Sequence, residues 1–267
     1  MKKPFRSDEP MNGPPSCTIA DFMRPHLRKC TFAETIRWEK TLGYGLDGYV
    51  WKVWFGDKGP FALKMFWDTD PPEYNCFYYA LQRECQNAAI FQMIECAMEK
   101  HEGPGPIWVF DDPETQIDAK ANLRGFSDEM RLDERPANCD TVEIKSMPRI
   151  RKCYGWLTLS QELLQTLPRR CKVTPYEVDD VERYMSSDMD YAAIVYEYVE
   201  PGKNEVNVVE EVDRFFWLTG FGHTISPKGA NWESGVLIDG ADIVYAGGYG
   251  WKAGLYGARK AKDILRE

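Results

Sequence analysis

An α+β fold is what this 267-residue chain predicts: an antiparallel sheet carrying one main helix, followed by a reduced C-terminal part. Three observations between residues 42 and 94 carry that expectation. A glycine-rich turn, Gly43-Tyr44-Gly45-Leu46-Asp47-Gly48, separates two strand-like runs. Lys64 sits in the run Ala62-Leu63-Lys64-Met65 that follows. A helical stretch over 73–94 then sets apolar or small residues at 77, 81, 85, 88 and 91, with Glu84 falling 20 residues after the lysine.

Gly43, Gly45 and Gly48 fit G-x-G-x-x-G, and Val50 follows two residues after the last glycine. Glycine at a hairpin tip lets backbone N–H groups approach anionic oxygens closely, and it accepts φ angles that other residues resist. The same spacing in a dinucleotide-binding fold leads into a helix. Here Tyr49-Val50-Trp51-Lys52-Val53-Trp54-Phe55 is β-branched and aromatic and reads as a strand. An ordinary hairpin would use the glycines for its turn alone, and an isolated helix-face glutamate is ordinarily a solvated carboxylate. The order and spacing of the glycines, Lys64 and Glu84 set the stretch apart from both.

Together these residues resemble the N-lobe of the protein-kinase superfamily, in which a glycine-rich loop covers nucleotide phosphates and a strand lysine pairs with a glutamate of the first helix. The resemblance implies ATP held through Gly43, Gly45, Gly48, Val50, Lys64 and Glu84. Residues Tyr191 to Gly202 look like a buried strand with an acidic, glycine-bearing exit, the place of a kinase hinge. Backbone groups from Glu197 to Val199 would then meet the adenine edge.

Composition bounds the rest. With 43% hydrophobic and 13% aromatic residues the chain can build a packed core. A net charge of −9 disfavours nonspecific contact with nucleic acid or anionic membranes. No apolar run approaches a membrane span, and the first residues lack a signal-peptide apolar core, so an intracellular protein of the nucleus or cytoplasm is expected. Eight cysteines without any C-x-x-C, beside three histidines, suggest reduced thiols and no zinc site.

Along the chain, residues 1–35 read as an N-terminal arm, loosely attached over the first 30, and residues 36–200 as the main lobe. Residues 102–148 are mixed in charge and read as an insertion or partly ordered loop. A strand is expected over 150–159, a helix over 208–218, a loop at Gly247, Gly248 and Gly250, and a short closing helix from Lys252 to Arg266. The run of motifs from 36 to 251, ending in Ala230-Asn231-Trp232-Glu233-Ser234-Gly235-Val236-Leu237-Ile238-Asp239-Gly240-Ala241-Asp242-Ile243-Val244, resembles a fungal family of kinase-like proteins described as kinetochore subunits of the Sim complex. That resemblance implies protein partners in a nuclear, kinetochore-type assembly.

The catalytic half departs from a working kinase. Gly220-Phe221-Gly222-His223-Thr224-Ile225 lines up with the entry to a catalytic loop, and Ile225 stands where the catalytic aspartate belongs. Isoleucine can neither orient a hydroxyl nor take its proton. Asn231 and Asp239 are candidate Mg²⁺ ligands if they converge, since Mg²⁺ takes hard oxygen ligands. Equally, Asn231 could cap a turn while Asp239 and Asp242 are surface carboxylates. Only 67 residues follow Glu200, too few for a full C-lobe with its peptide platform. The leading expectation is a degenerate kinase-like interaction module with residual nucleotide binding. An active small kinase or phosphotransferase, with Asp239 on Mg²⁺ and Asp242, Glu233 or His223 as its base, is the alternative. A third is a scaffold that binds no nucleotide, for which nine tryptophans would suit a partner surface.

Overall fold

The computed structural model describes residues 4–71, 78–99, 105–131, 140–186, 188–224 and 228–266. In chain order these form β1 (Arg6–Pro10), α1 (Ile19–Met23), β2 (Leu27–Lys29), β3 (Ile36–Tyr44), β4 (Gly48–Phe55), β5 (Lys58–Phe66) and α2 (Ala80–Glu99). Next come β6 (Trp108–Phe110), α3 (Gln116–Arg124), β7 (Thr141–Glu143), β8 (Cys153–Leu159), α4 (Gln161–Gln165), β9 (Tyr176–Val178), β10 (Val181–Arg183) and β11 (Tyr191–Glu197). The chain closes with α5 (Val206–Leu218), β12 (Phe221–His223), β13 (Trp232–Glu233), β14 (Val236–Leu237), β15 (Ile243–Tyr245) and α6 (Ala261–Ile264).

The architecture is mixed α+β, and its centre is a seven-stranded sheet in the order β1-β2-β8-β11-β5-β4-β3. The pairs from β8 to β3 are antiparallel, whereas β1 and β2 add in parallel at the β8 edge. Strand alternation sorts side chains to two faces. Leu63 and Met65 of β5, with Ala193 and Val195 of β11, pack with Trp51, Val53 and Leu159 beneath α4 and the segment that follows it. The opposite parity, Ala62 and Phe66 with Ala192, Ile194 and Tyr196, packs against Leu81, Cys85 and Ala88 of α2. Lys64 has that second parity, so the pleat itself aims it at the helix.

Helix α2 is buried on nearly every side because it serves two cores. Its first half faces the sheet, while Ile90, Met93, Ile94 and Ala97 enter a second core built by Ile107, Val109, Leu123 and Phe126 together with α5 and β12 to α6. The helix begins later and ends later than 73–94: Tyr78 and Tyr79 are not helical, and residues 73–77 lie outside the described residues.

Three other expectations are corrected. The N-terminal stretch is not a loosely attached arm, because β1 and β2 extend the sheet, the Trp156 indole donates to Ser7 O at 2.8 Å, and Leu27 and Phe22 are fully buried. The 102–148 stretch, where described, is an ordered unit. Hairpin β6–β7 pairs Val109 with Val142, α3 starts with a Thr115–Asp118 capping box, and Asn122 bridges Phe110 to Leu218 O of α5. Few apolar residues suffice there because they join an existing core. The end of the chain carries a short α6 rather than one helix across 252–266, since α6 begins only at Ala261.

Candidate functional site

Lys64 of β5, Glu84 of α2 and Asp239 beyond β14 converge where the helix, the sheet and the C-terminal segment meet. The Lys64 ammonium lies 2.6 Å from Glu84 Oε1 and 2.9 Å from Asp239 Oδ1. Glu84 is fully buried and Lys64 nearly so, while about a third of Asp239 remains exposed. The Tyr196 hydroxyl donates to Glu84 Oε2 at 2.9 Å, and the Ala241 N–H donates to Asp239 Oδ1 at 3.0 Å. Each carboxylate is thus held by an ammonium and a neutral donor, the condition under which buried charge is tolerated.

Electrostatics follow from that geometry. Burial works against the Lys64 charge, but Asp239, Glu84 and Asp47 outweigh it and hold the lysine protonated. Burial also pushes Asp239 up, yet Lys64, the Ala241 N–H and Arg151 more than offset this and hold the carboxyl below its ordinary value. Glu84 goes the other way: its burial, with Asp239 and Asp47 adding repulsion, exceeds the pull of Lys64 and raises it.

One turn of α2 organises the segment around Asp239. Arg83 donates to Ala241 O at 3.0 Å and to Tyr249 O at 3.1 Å. Asn87 donates to Gly240 O at 3.0 Å and Ile243 O at 2.8 Å. Neither residue was singled out by sequence, since a helical arginine and asparagine carry no motif. Their position flanking Glu84 on one helix face is the signal that existed.

The glycine-rich turn lies over the same cluster. A Cβ on Gly48 would stand 2.0 Å from Met65 O, so this glycine is required by the approach of β4 to β5. Gly43 and Gly45 face open space instead. Asp47, read from sequence only as a turn residue, accepts the Tyr78 hydroxyl at 2.7 Å and interacts with Lys64, Asp239 and Arg83. Its burial raises its pKa. The turn is pinned from outside by the Trp67 indole and the Tyr176 hydroxyl, both donating to Gly45 O.

The other expected positions divide. Val50 is half-buried and Val199 buried. Strand β11 ends at Glu197 rather than running on to Gly202. The Glu197 N–H donates to Lys152 O at 2.8 Å, and its carbonyl accepts from Arg151 Nε at 3.1 Å, so both backbone groups are engaged within the protein. Arg151 also donates to Ile238 O and lies over the Tyr196 ring at 4.5 Å, tying the sheet to the strand before Asp239. Asn231 and Asp239 do not form a pair. Asn231 Nδ2 donates to Asp242 Oδ2 at 2.8 Å, and burial raises Asp242 to about 6. Ile225 lies outside the described residues. His223 is buried against Asp213 at 2.6 Å.

As a test of fit, the residues that the resemblance assigns to phosphates are compatible with a nucleotide: open glycines, a fixed ammonium, and a partly exposed Asp239 carboxylate able to meet a hard cation. Those that it assigns to adenine are less accommodating, since Arg151 already takes the Glu197 carbonyl. Among the described residues no cluster of three or more His, Cys, Asp or Glu side chains forms a metal centre, and no helix is long and apolar enough to cross a membrane. No family model, curated protein or solved structure matches this chain.

Proposed function

We propose that this chain is a degenerate kinase-like module that works through protein partners and retains a cation-dependent nucleotide site, without ordinary phosphoryl transfer. The observation that carries the reading is the triad of Lys64, Glu84 and Asp239. A strand lysine paired with a helix glutamate and facing an aspartate is the arrangement kinases need to hold phosphates and Mg²⁺. The glycine-rich hairpin precedes the lysine strand, and the glutamate helix is the next element described after that strand, the order the kinase signature requires.

Loss of transfer is supported by Ile225 standing, in the sequence register, where the catalytic aspartate belongs. Exposed Tyr44, Tyr184 and Tyr249 would offer apolar contact to partner proteins, and the sequence resemblance implies that such partners belong to a kinetochore-type nuclear assembly. The test is calorimetric titration of ATP with and without Mg²⁺. Saturable binding that Asp239→Asn weakens, with no phosphate released or transferred, is the expected result. Binding unchanged by Asp239→Asn and by the Lys64→Met/Glu84→Gln pair would remove the nucleotide site.

One observation favours an active enzyme instead. Asp242, raised to about 6 and oriented by Asn231, is poised as a general base. Robust transfer that Asp242→Asn abolishes would establish that reading over the first.

A further inference from the structure

A cavity of about 470 Å³ runs behind Glu84, between one face of α2 and the strap formed by residues 145–153. Its lining is mixed: Phe91, Met98, Met147, Phe216, Leu237 and Ile243 give it an apolar, partly aromatic body, beside charged residues of α2 and of the strap. That volume and lining match small-molecule sites, which add a few fixed polar groups to an apolar shell. The glycine-rich turn and Lys64 are not among its walls, so the inference does not depend on the nucleotide reading.

Asn87 supplies the polar group. It lines the cavity with 2% of its surface exposed, and both hydrogen bonds recorded for it use Nδ2. Its Oδ1 is buried without a partner. A buried acceptor in that state costs free energy that a donor would recover. The lining charges mostly have partners already, Glu84 with Lys64, Arg151 with two carbonyls, Lys152 with Glu95, Arg149 with Glu197 and Lys145 with Glu143, so a further charge would enter with little to compensate it.

We propose that this cavity is a binding site for an uncharged, largely apolar small molecule whose O–H or N–H donates to Asn87 Oδ1. The apolar body rests between Phe91, Phe216 and Leu237, and the strap closes one side. The test uses the full chain and a matched pair of probes, indole, which carries an N–H, and benzofuran, which does not. Indole is expected to bind saturably and about tenfold more tightly than benzofuran, the difference that one hydrogen bond supplies. Met147→Trp, filling the cavity from the strap, is expected to abolish indole binding while the protein still melts cooperatively. If that variant fails to fold, Met98→Trp fills the cavity from the helix side. Equal binding of the two probes, absence of saturation, or indole binding indifferent to the filling variant would mean that water alone meets Asn87, and would overturn the proposal.

Discussion

Lys64 and Asp239 stand 175 positions apart and meet at 2.9 Å, with Glu84 on the other side of the same ammonium. One cation therefore fastens the sheet, the main helix and the C-terminal segment together. The bond is structural whether or not a ligand enters, because Glu84 has no access to water.

Lys64→Met is accordingly expected to cost about 3–5 kcal/mol, the penalty for leaving a buried charge without its partner. Urea denaturation at neutral pH measures it. Adding Glu84→Gln should restore a substantial part, since the orphaned charge is then gone. A neutral single substitution would show that the pair contributes nothing to stability.

The glycines should separate by role. Gly48→Ala is expected to lose about 1–3 kcal/mol or more, because its Cβ would meet Met65 O at 2.0 Å. Gly45→Ala has open space and should shift stability by less than about 1 kcal/mol. If Gly45→Ala nonetheless weakens ATP binding, that glycine serves the ligand; if binding is also unchanged, it serves only the turn.

Asp242 gives a pH signature. Its folded pKa of about 6 exceeds its ordinary 3.8, so the folded state keeps a proton that the unfolded state releases. The stabilisation is fully present below 3.8 and is lost as pH rises through about 6. Asp242→Asn, which still accepts from Asn231, should flatten stability over that window and raise it at neutral pH. Parallel curves for the two proteins would place the titration elsewhere.

Charge crowding predicts cation dependence. Asp47, Glu84, Asp239 and Asp242 crowd around Lys64, Arg83 and Arg151, so at the proposed nucleotide site bare ATP would bring its charge to a cluster that already holds four carboxylates. Binding should require Mg²⁺, and Asp47→Asn, which keeps the acceptor for Tyr78, should strengthen Mg²⁺-free binding by about tenfold, as expected when a nearby like charge is removed. Equal affinity with and without the metal would contradict this balance.

The sequence made the site's nearer half legible. Strand parity turns Lys64 toward α2, glycine punctuation marks the hairpin, and helical spacing sets Glu84 beside Leu81 and Cys85, which pack on the sheet. These are local rules, and they operate within a few turns or strands. By contrast, residues 1–30 read as an arm because they are rich in Pro, Gly and charge, yet Leu27 and Phe22 are fully buried. The 102–148 stretch reads as a loop because its charges are mixed and its large apolar residues few, yet Val109, Leu123 and Phe126 complete a core supplied mostly by other segments.

By itself, then, the sequence determined the α+β class, the glycine-rich hairpin and the facing of Lys64 and Glu84, because backbone sterics and side-chain period act over short distances. Tertiary structure alone decided that Arg151 would take the Glu197 carbonyl, that Asn231 would hold Asp242 rather than join Asp239, and that Asp47 would lean on Lys64. Each of those depends on which distant backbone arrives within hydrogen-bond or Coulombic reach. No local periodicity encodes that.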